Sequence, residues 1–234
     1  MQSSNRCYGA LIELIGTKLR RRPFPLNLEA LRACRVSYGQ FGEDLFLTHL
    51  LGYEKGGGVY VDVGCFHPIV YSNTYIFYQR GWRGLAIDPN PKYRAEWHRY
   101  RPHDVFINAA VSRTRRKVTY LMNDRYPAMN TVVDENQTAD FDPSQFAASS
   151  CDGIPLAAIL ESNLKGNRID LMNIDCEGKD IEVLESNDFD KYRPAVIAVE
   201  DSDISLDSKA THILQALNYE CKAYIGLTKI FQTK

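Results

Sequence analysis

Four short apolar runs in this chain end on acids, and helix-forming segments follow them. They are VYVDVG (59–64), GLAIDPNP (84–91), IDLMNIDCEG (169–178) and AVIAVED (195–201). A carboxylate at the end of a core strand is costly unless something pairs with it. Chance would scatter such acids over both strand ends, yet Asp62, Asp88, Asp175 and Glu200 all fall at the carboxyl end. The pattern narrows the fold to one that brings the carboxyl ends of parallel strands to a common edge.

The segments between the runs agree. GQFGEDLFLTHLLG carries Phe41, Leu45, Phe46, His49 and Leu50 at helical spacing, and Gly52 can end that helix. SNTYIFYQRG reads as a helix capped by Ser72 or Asn73 and closed by Gly81. PKYRAEWHRYRP is a polar helix and DVFINAAVS a third strand. Strand, helix, strand in short steps means βαβ units, a parallel sheet and right-handed crossovers. RKVTYLMN alternates as an antiparallel strand, and residues 123–150 read as polar loops or a partly mobile lid, with variable acceptor-side loops that set specificity at about 120–150. IPLAAILESNLKG is a helix ending at Gly166, and helices follow the fourth and fifth strands at KDIEVLESNDF and SKATHILQALNYE. CKAYIGLTKIFQ is a hairpin turning at Gly226.

The 234 residues suit one domain, placed at 37–234, after an N-terminal amphipathic helical extension at 1–36. In that extension Leu11, Ile12, Leu14, Ile15 and Leu19 precede Lys18 and Arg20 to Arg22, an order wrong for a signal peptide. It admits two readings: a helix docked on the domain or on a partner subunit, or a peripheral membrane contact. No stretch approaches the roughly 18 apolar residues of a membrane span. A net charge of -1 gives no bias toward nucleic acid. The six cysteines form no CxxC pair, so they read as reduced core thiols of a cytoplasmic protein. Oligomeric state is open, a homo-oligomer included.

In an open parallel sheet, ligands bind at the carboxyl ends of the strands, where strand order reverses. Gly64 after strand one lets a ligand approach the backbone, and Asp88 at the end of strand two is placed for the hydroxyls of a ribose. The turn is Gly64-Cys65-Phe66-His67-Pro68, with bulky residues where a dinucleotide site has glycines, and no Walker motif exists. The turn therefore suits a nucleoside cofactor without phosphates, and S-adenosylmethionine is one. Asp62 then stays charged against turn amides or the ammonium end of the cofactor.

Several phrases also resemble the FkbM family of S-adenosylmethionine-dependent methyltransferases: SYGQFGEDLFL, YVDVGCFHPIVYSNTYIFYQRGWRGLAIDPNP, NAAVS, IDLMNIDCEGKDIEVLES and RPAVIAVE. The resemblance implies a class I methyltransferase, Rossmann-like α/β fold: a seven-stranded, mostly parallel sheet with an antiparallel last strand and helices on both faces. It implies methylation of a hydroxyl on a sugar, glycan or related natural product. It also assigns Gln40 and Glu43 to the methionine end of the cofactor. Ser72, Asn73 and Thr74, at a helix start, are placed for its carboxylate, and Asn108 for the adenine edge. The substrate-side base or hydroxyl anchor is Asp175, with Glu177 second and His67 third. Asp175 with Glu200 and Asp201 also makes a set of carboxylates that a divalent metal such as magnesium could take. The competing readings are a nicotinamide-dependent Rossmann-like protein and a non-catalytic module.

Overall fold

The computed structural model describes residues 32–52, 56–123, 125, 130–133, 146–166, 168–205 and 207–234. The chain divides into two compact units, 1–36 and 37–234. In the first, the Arg35 guanidinium donates to the carbonyls of Arg32 and Cys34. The amphipathic segment expected between residues 7 and 22 lies outside the described residues.

The second unit runs α1 (Glu43–Leu51), β1 (Val59–Val63), α2 (Tyr75–Tyr78), β2 (Arg83–Ile87), a 3-10 turn (Pro91–Tyr93), α3 (Arg94–Tyr100), β3 (Val105–Ile107), β4 (Ala110–Val111), β5 (Arg116–Met122) and β6 (Thr131–Val133). It continues with β7 (Ala147–Ile154), α4 (Leu156–Asn163), β8 (Ile169–Ile174), α5 (Asp180–Glu185), β9 (Pro194–Glu200), α6 (Lys209–Ala216), β10 (Tyr219–Ile225) and β11 (Thr228–Thr233). The main sheet has seven strands in the order β10-β11-β9-β8-β1-β2-β3. The β3, β2, β1, β8 and β9 pairings are parallel, and β11 is antiparallel to both β9 and β10. The order reverses between β1 and β8, so the crevice opens beyond their carboxyl ends.

Apolar side chains cover both faces of this sheet, which explains the near-continuous apolar runs. Val61, Val63, Met172, Ile174, Ile197 and Val199 pack on α4, α5 and α6 through Leu160, Leu184 and Leu214. On the opposite face Tyr60, Leu171, Val196 and Ile230 pack on α1 and α2 through Leu47 and Phe77. Removing one such buried side chain costs about 2–5 kcal/mol.

The structure departs from the sequence expectation in three places. The expected third strand over 104–112 breaks in two. The Asn108 amide donates to the Asp88 carbonyl at 2.9 Å, the chain turns, and Ala110–Val111 joins a second sheet. That sheet has four strands in the order β4-β7-β5-β6, so the stretch at 123–150 is not loop throughout: β6 and the start of β7 lie in it. β7 is largely exposed and offers no apolar alternation to read; its pairing with β5 dictates it. Finally, among the described residues the thiols form no disulfide but are not all core: Cys65 is buried, Cys151, Cys176 and Cys221 are half-buried, and Cys34 is exposed. Among the described residues, no helix is long and apolar enough to cross a membrane.

Candidate active site

A cleft of about 1000 Å³, part of it open to solvent, lies at the carboxyl ends of β1, β2 and β8. Its floor requires Gly64. That residue has φ +74°, and a Cβ there would stand 1.7 Å from the Asp175 carbonyl oxygen. The ends of β1 and β8 therefore meet closely only because no side chain intervenes.

On the β1–β2 wall each buried carboxylate has hydrogen-bond partners. Asp62 is not at the strand end; it sits inside β1, on the Tyr60 face, in register with Ala86 and Asn173. Its partners are side chains rather than turn amides: Thr74 Oγ1 donates to one carboxylate oxygen, and Asn173 Nδ2 donates to the other at 2.9 Å. Asn73 extends the chain by donating to Asn173 Oδ1 at 3.1 Å. Burial raises the Asp62 pKa against the opposing pull of Arg101 and these hydrogen bonds. Arg101 is 1% exposed. Its guanidinium carbon lies 4.2 Å from the Trp97 ring centre, with Nε on Asp104 at 2.7 Å and Nη1 on Thr74 at 3.0 Å.

Asp88 ends the neighbouring strand. One oxygen accepts the Phe66 N–H at 2.9 Å and the other the Asn90 N–H at 2.7 Å. Burial pushes its pKa up to about 6, opposed by those two bonds. A carboxylate offers about four acceptor positions, so two remain for a ligand.

The β8–β9 wall differs. Asp175, Glu177 and Glu200 bring carboxylate oxygens within 4.8 Å of one another. Burial, then the charges of Glu200 and Glu177, hold the Asp175 carboxyl well above the usual range. Burial and Glu200 raise Glu177 to about 7. Three hard oxygen donors at this spacing could also hold a divalent cation. Asp201, expected in such a set, turns away: it accepts from Lys229 Nζ at 2.9 Å and from Ser208 at 2.5 Å.

Other expected residues fall at varied positions. Gln40 lines the cleft and Glu43 lines an adjoining pocket. A Cβ on Gly39 would lie 2.6 Å from both Glu43 Oε2 and Asn73 Oδ1, and the latter is buried without a hydrogen-bond partner. Ser72 and Thr74 face inward, both bonded to Arg101, while α2 has only four residues. They therefore brace the turn rather than make an anion site. His67 Nδ1 accepts the N–H groups of Ile69 and Val70, and its Nε2 lies 2.8 Å from Glu96. It lies outside the cleft lining and packs the turn, and Asn108, tied to the backbone, lies outside it too.

Sequence reasoning missed Asn173; it placed variable acceptor-side loops at about 120–150, and there Tyr120 and residues 130–132 do line the cleft. An asparagine inside the buried run DLMNI was a readable signal; the second-sheet residues gave no individual one. Phe66, Tyr71 and Glu177 carry positive φ values of 44°, 57° and 48°, and all three line the cleft. Such strain persists where surrounding structure enforces it, often at functional sites.

A family model described as "Methyltransferase FkbM domain" matches residues 58–223. No protein with a curated description matches this chain in sequence. Solved structures with a similar course include methyltransferase FkbM from Methylobacillus flagellatus, at 11% identity and TM-score 0.47 over 76% of this chain and 43% of that one. This chain thus spans less than half the length of that protein. A precorrin-6y C5,15-methyltransferase from Geobacter metallireducens aligns at 11% identity and TM-score 0.46, over 85% and 93% of the two chains. The 1,6-didemethyltoxoflavin-N1-methyltransferase of Burkholderia thailandensis, solved with S-adenosylhomocysteine, aligns at 12% and 0.42, over 82% and 77%.

Proposed function

Because the chain belongs to the FkbM methyltransferase family, we propose that it is an S-adenosylmethionine-dependent O-methyltransferase acting on a hydroxyl of a sugar, glycan or related natural product. The observation that carries this reading is one cleft with two kinds of carboxylate. Asp88 is held by amides with acceptor positions to spare, and Asp175, Glu177 and Glu200 crowd the opposite wall.

The residues present fit the cofactor. Asp88 accepts from ribose hydroxyls, and Phe66, Val111 and Tyr120 offer apolar surface to the base. The orphaned Asn73 Oδ1 and the nearby Glu43 carboxylate suit an ammonium group. When bound, S-adenosylmethionine supplies a methyl group already activated by its sulfonium. The protein's first task is then to hold the acceptor in line, worth up to about 7–11 kcal/mol. Its second is to take the proton of the hydroxyl. Asp175 was the expected base; burial and the charges of Glu200 and Glu177 hold its carboxyl well above the usual range, with a hydrogen bond to Glu200. Both carboxyls line the cleft within 4.8 Å of each other, and the roles assigned here are Glu200 as acceptor of the hydroxyl proton and Asp175 as the anchor.

The test is isothermal titration with S-adenosylmethionine, S-adenosylhomocysteine and NAD, followed by transfer of labelled methyl to glycosides with and without chelator. Micromolar binding of the adenosyl ligands, weakened in Asp88→Ala and absent for NAD, is the expected result. No binding of either adenosyl ligand overturns the reading. Activity lost to chelator and restored by magnesium would assign the carboxylate trio to a metal instead of a proton.

A further inference from the structure

The buried network on the β1–β2 wall runs as one chain of hydrogen bonds from the end of α3 to the cleft. It begins at Arg101, whose Nη1 donates to Thr74 Oγ1 at 3.0 Å. Thr74 Oγ1 donates to Asp62 Oδ2, Asn173 Nδ2 donates to Asp62 Oδ1 at 2.9 Å, and Asn73 Nδ2 donates to Asn173 Oδ1 at 3.1 Å. The chain ends at Asn73 Oδ1. That residue lines the cleft and is 8% exposed, and the oxygen has no hydrogen-bond partner.

The direction of every bond in this chain is fixed at its start. A guanidinium only donates, so Thr74 directs its own proton to Asp62. An ionised carboxylate only accepts, and Arg101 is the cation that opposes the cost of burying that charge. The two ends of an asparagine amide are alike in shape, so its orientation follows from its partners. Asn173 therefore turns its NH2 to Asp62 and its oxygen to Asn73, and Asn73 in turn presents its oxygen toward Gly39 and Glu43. A Cβ on Gly39 would lie 2.6 Å from both this oxygen and Glu43 Oε2. With the amide reversed, Asn73 would offer NH2 beside that carboxylate, and an incoming cation would meet a donor.

We propose that Arg101, Thr74, Asp62 and Asn173 are positioning residues, a relay that holds Asn73 as a hydrogen-bond acceptor and so makes the cofactor pocket select a ligand with an ammonium group. The inference rests on the methyltransferase reading and deepens it: Asp62 serves the cofactor through two asparagines and not by touching it. A network built for stability alone would end on a satisfied atom. This one ends on an acceptor without a partner, beside a carboxylate.

The experiment is titration calorimetry on the full chain with two probes, S-adenosylhomocysteine and its deamino analogue, in which hydrogen replaces the amino group. Thr74→Val cuts Arg101 from Asp62, and Asn173→Leu cuts Asp62 from Asn73. Asp62→Asn gives Asn173 a partner that can donate, and Thr74→Ser keeps the hydroxyl. The unchanged protein and Thr74→Ser are expected to prefer S-adenosylhomocysteine by about tenfold or more, or roughly 1.4 kcal/mol. In the other three variants that preference should shrink to about twofold or less, while affinity for the deamino analogue stays within about twofold of the unchanged protein. A merely structural role would weaken both probes together. Equal affinity for the two probes in the unchanged protein, the full preference kept in Thr74→Val or Asp62→Asn, or joint loss of both probes in the three variants would each overturn the relay. So would Thr74→Ser behaving as Thr74→Val does. Failure of S-adenosylhomocysteine to bind the unchanged protein would instead overturn the methyltransferase reading beneath it.

Discussion

The two walls of the cleft solve the cost of buried acids in opposite ways. On the β1–β2 side each carboxylate has partners: Asp62 has Thr74 and Asn173, Asp88 has two amides, and Asp104 has Arg101. On the β8–β9 side three carboxylates face one another, and Asp175 and Glu177 are raised in pKa by burial and by mutual repulsion. A satisfied wall is rigid and suits a ligand of fixed shape. A crowded wall suits the step in which a proton moves, because its protonation state shifts at little cost.

The largest expected effect tests the crowded wall. Glu200→Gln is expected to lower kcat by about 10²–10⁴-fold, with S-adenosylhomocysteine affinity unchanged by calorimetry. Loss of affinity in place of turnover would erase the distinction between the walls. Next comes the satisfied wall. Arg101→Met leaves the buried Asp104 without its cation and strips Thr74 of a donor; urea unfolding should show about 3–5 kcal/mol of lost stability. Asp88→Ala removes the acceptor of two backbone amides and, on the proposed function, the group offered to a ribose. It is expected to weaken S-adenosylhomocysteine binding about 10–100-fold, on the scale of one or two charge-assisted hydrogen bonds.

A smaller effect follows pH. The folded pKa of Asp88 is about 6, above its ordinary 3.8. The folded state therefore holds the proton more tightly, and this group's contribution to stability is lost as pH rises from about 3.8 through about 6. Cofactor affinity should run the other way, weakening as pH falls through about 6, because protonation removes an acceptor. Calorimetry of S-adenosylhomocysteine binding across that window, beside unfolding of Asp88→Asn, separates the two trends. The smallest effect lies far from both walls. Lys191 and Glu161 pair at 2.9 Å with side chains 41% and 69% exposed. Lys191→Ala should leave the urea unfolding midpoint unchanged within error, since an exposed ion pair contributes little.

The strand runs at 59–63, 83–87, 169–174 and 194–200 were legible because helices cover the sheet on both faces, leaving unbroken apolar stretches. β6 and β7 were not, since β6 is three half-buried residues, β7 has no apolar alternation, and both are fixed by their neighbour β5. At the site, Asp88 and Asp175 were readable as acids following core strands. The division of roles between Asp175 and Glu200 was not readable, because it depends on how deeply each carboxyl is buried and how near the other lies.

The sequence by itself determined the parallel sheet, the edge on which the acids gather and the phosphate-free turn after β1. Those properties come from local periodicity and residue type. Only the tertiary structure decided which acids are satisfied. Asp62 meets Asn173 across 111 positions of chain, and Arg101 reaches Thr74 across 27. Likewise Phe41 meets Gly226 only where the β10–β11 turn folds back onto it. Charge and hydrogen bonding act over a few ångströms of space, and distance along the chain does not encode that.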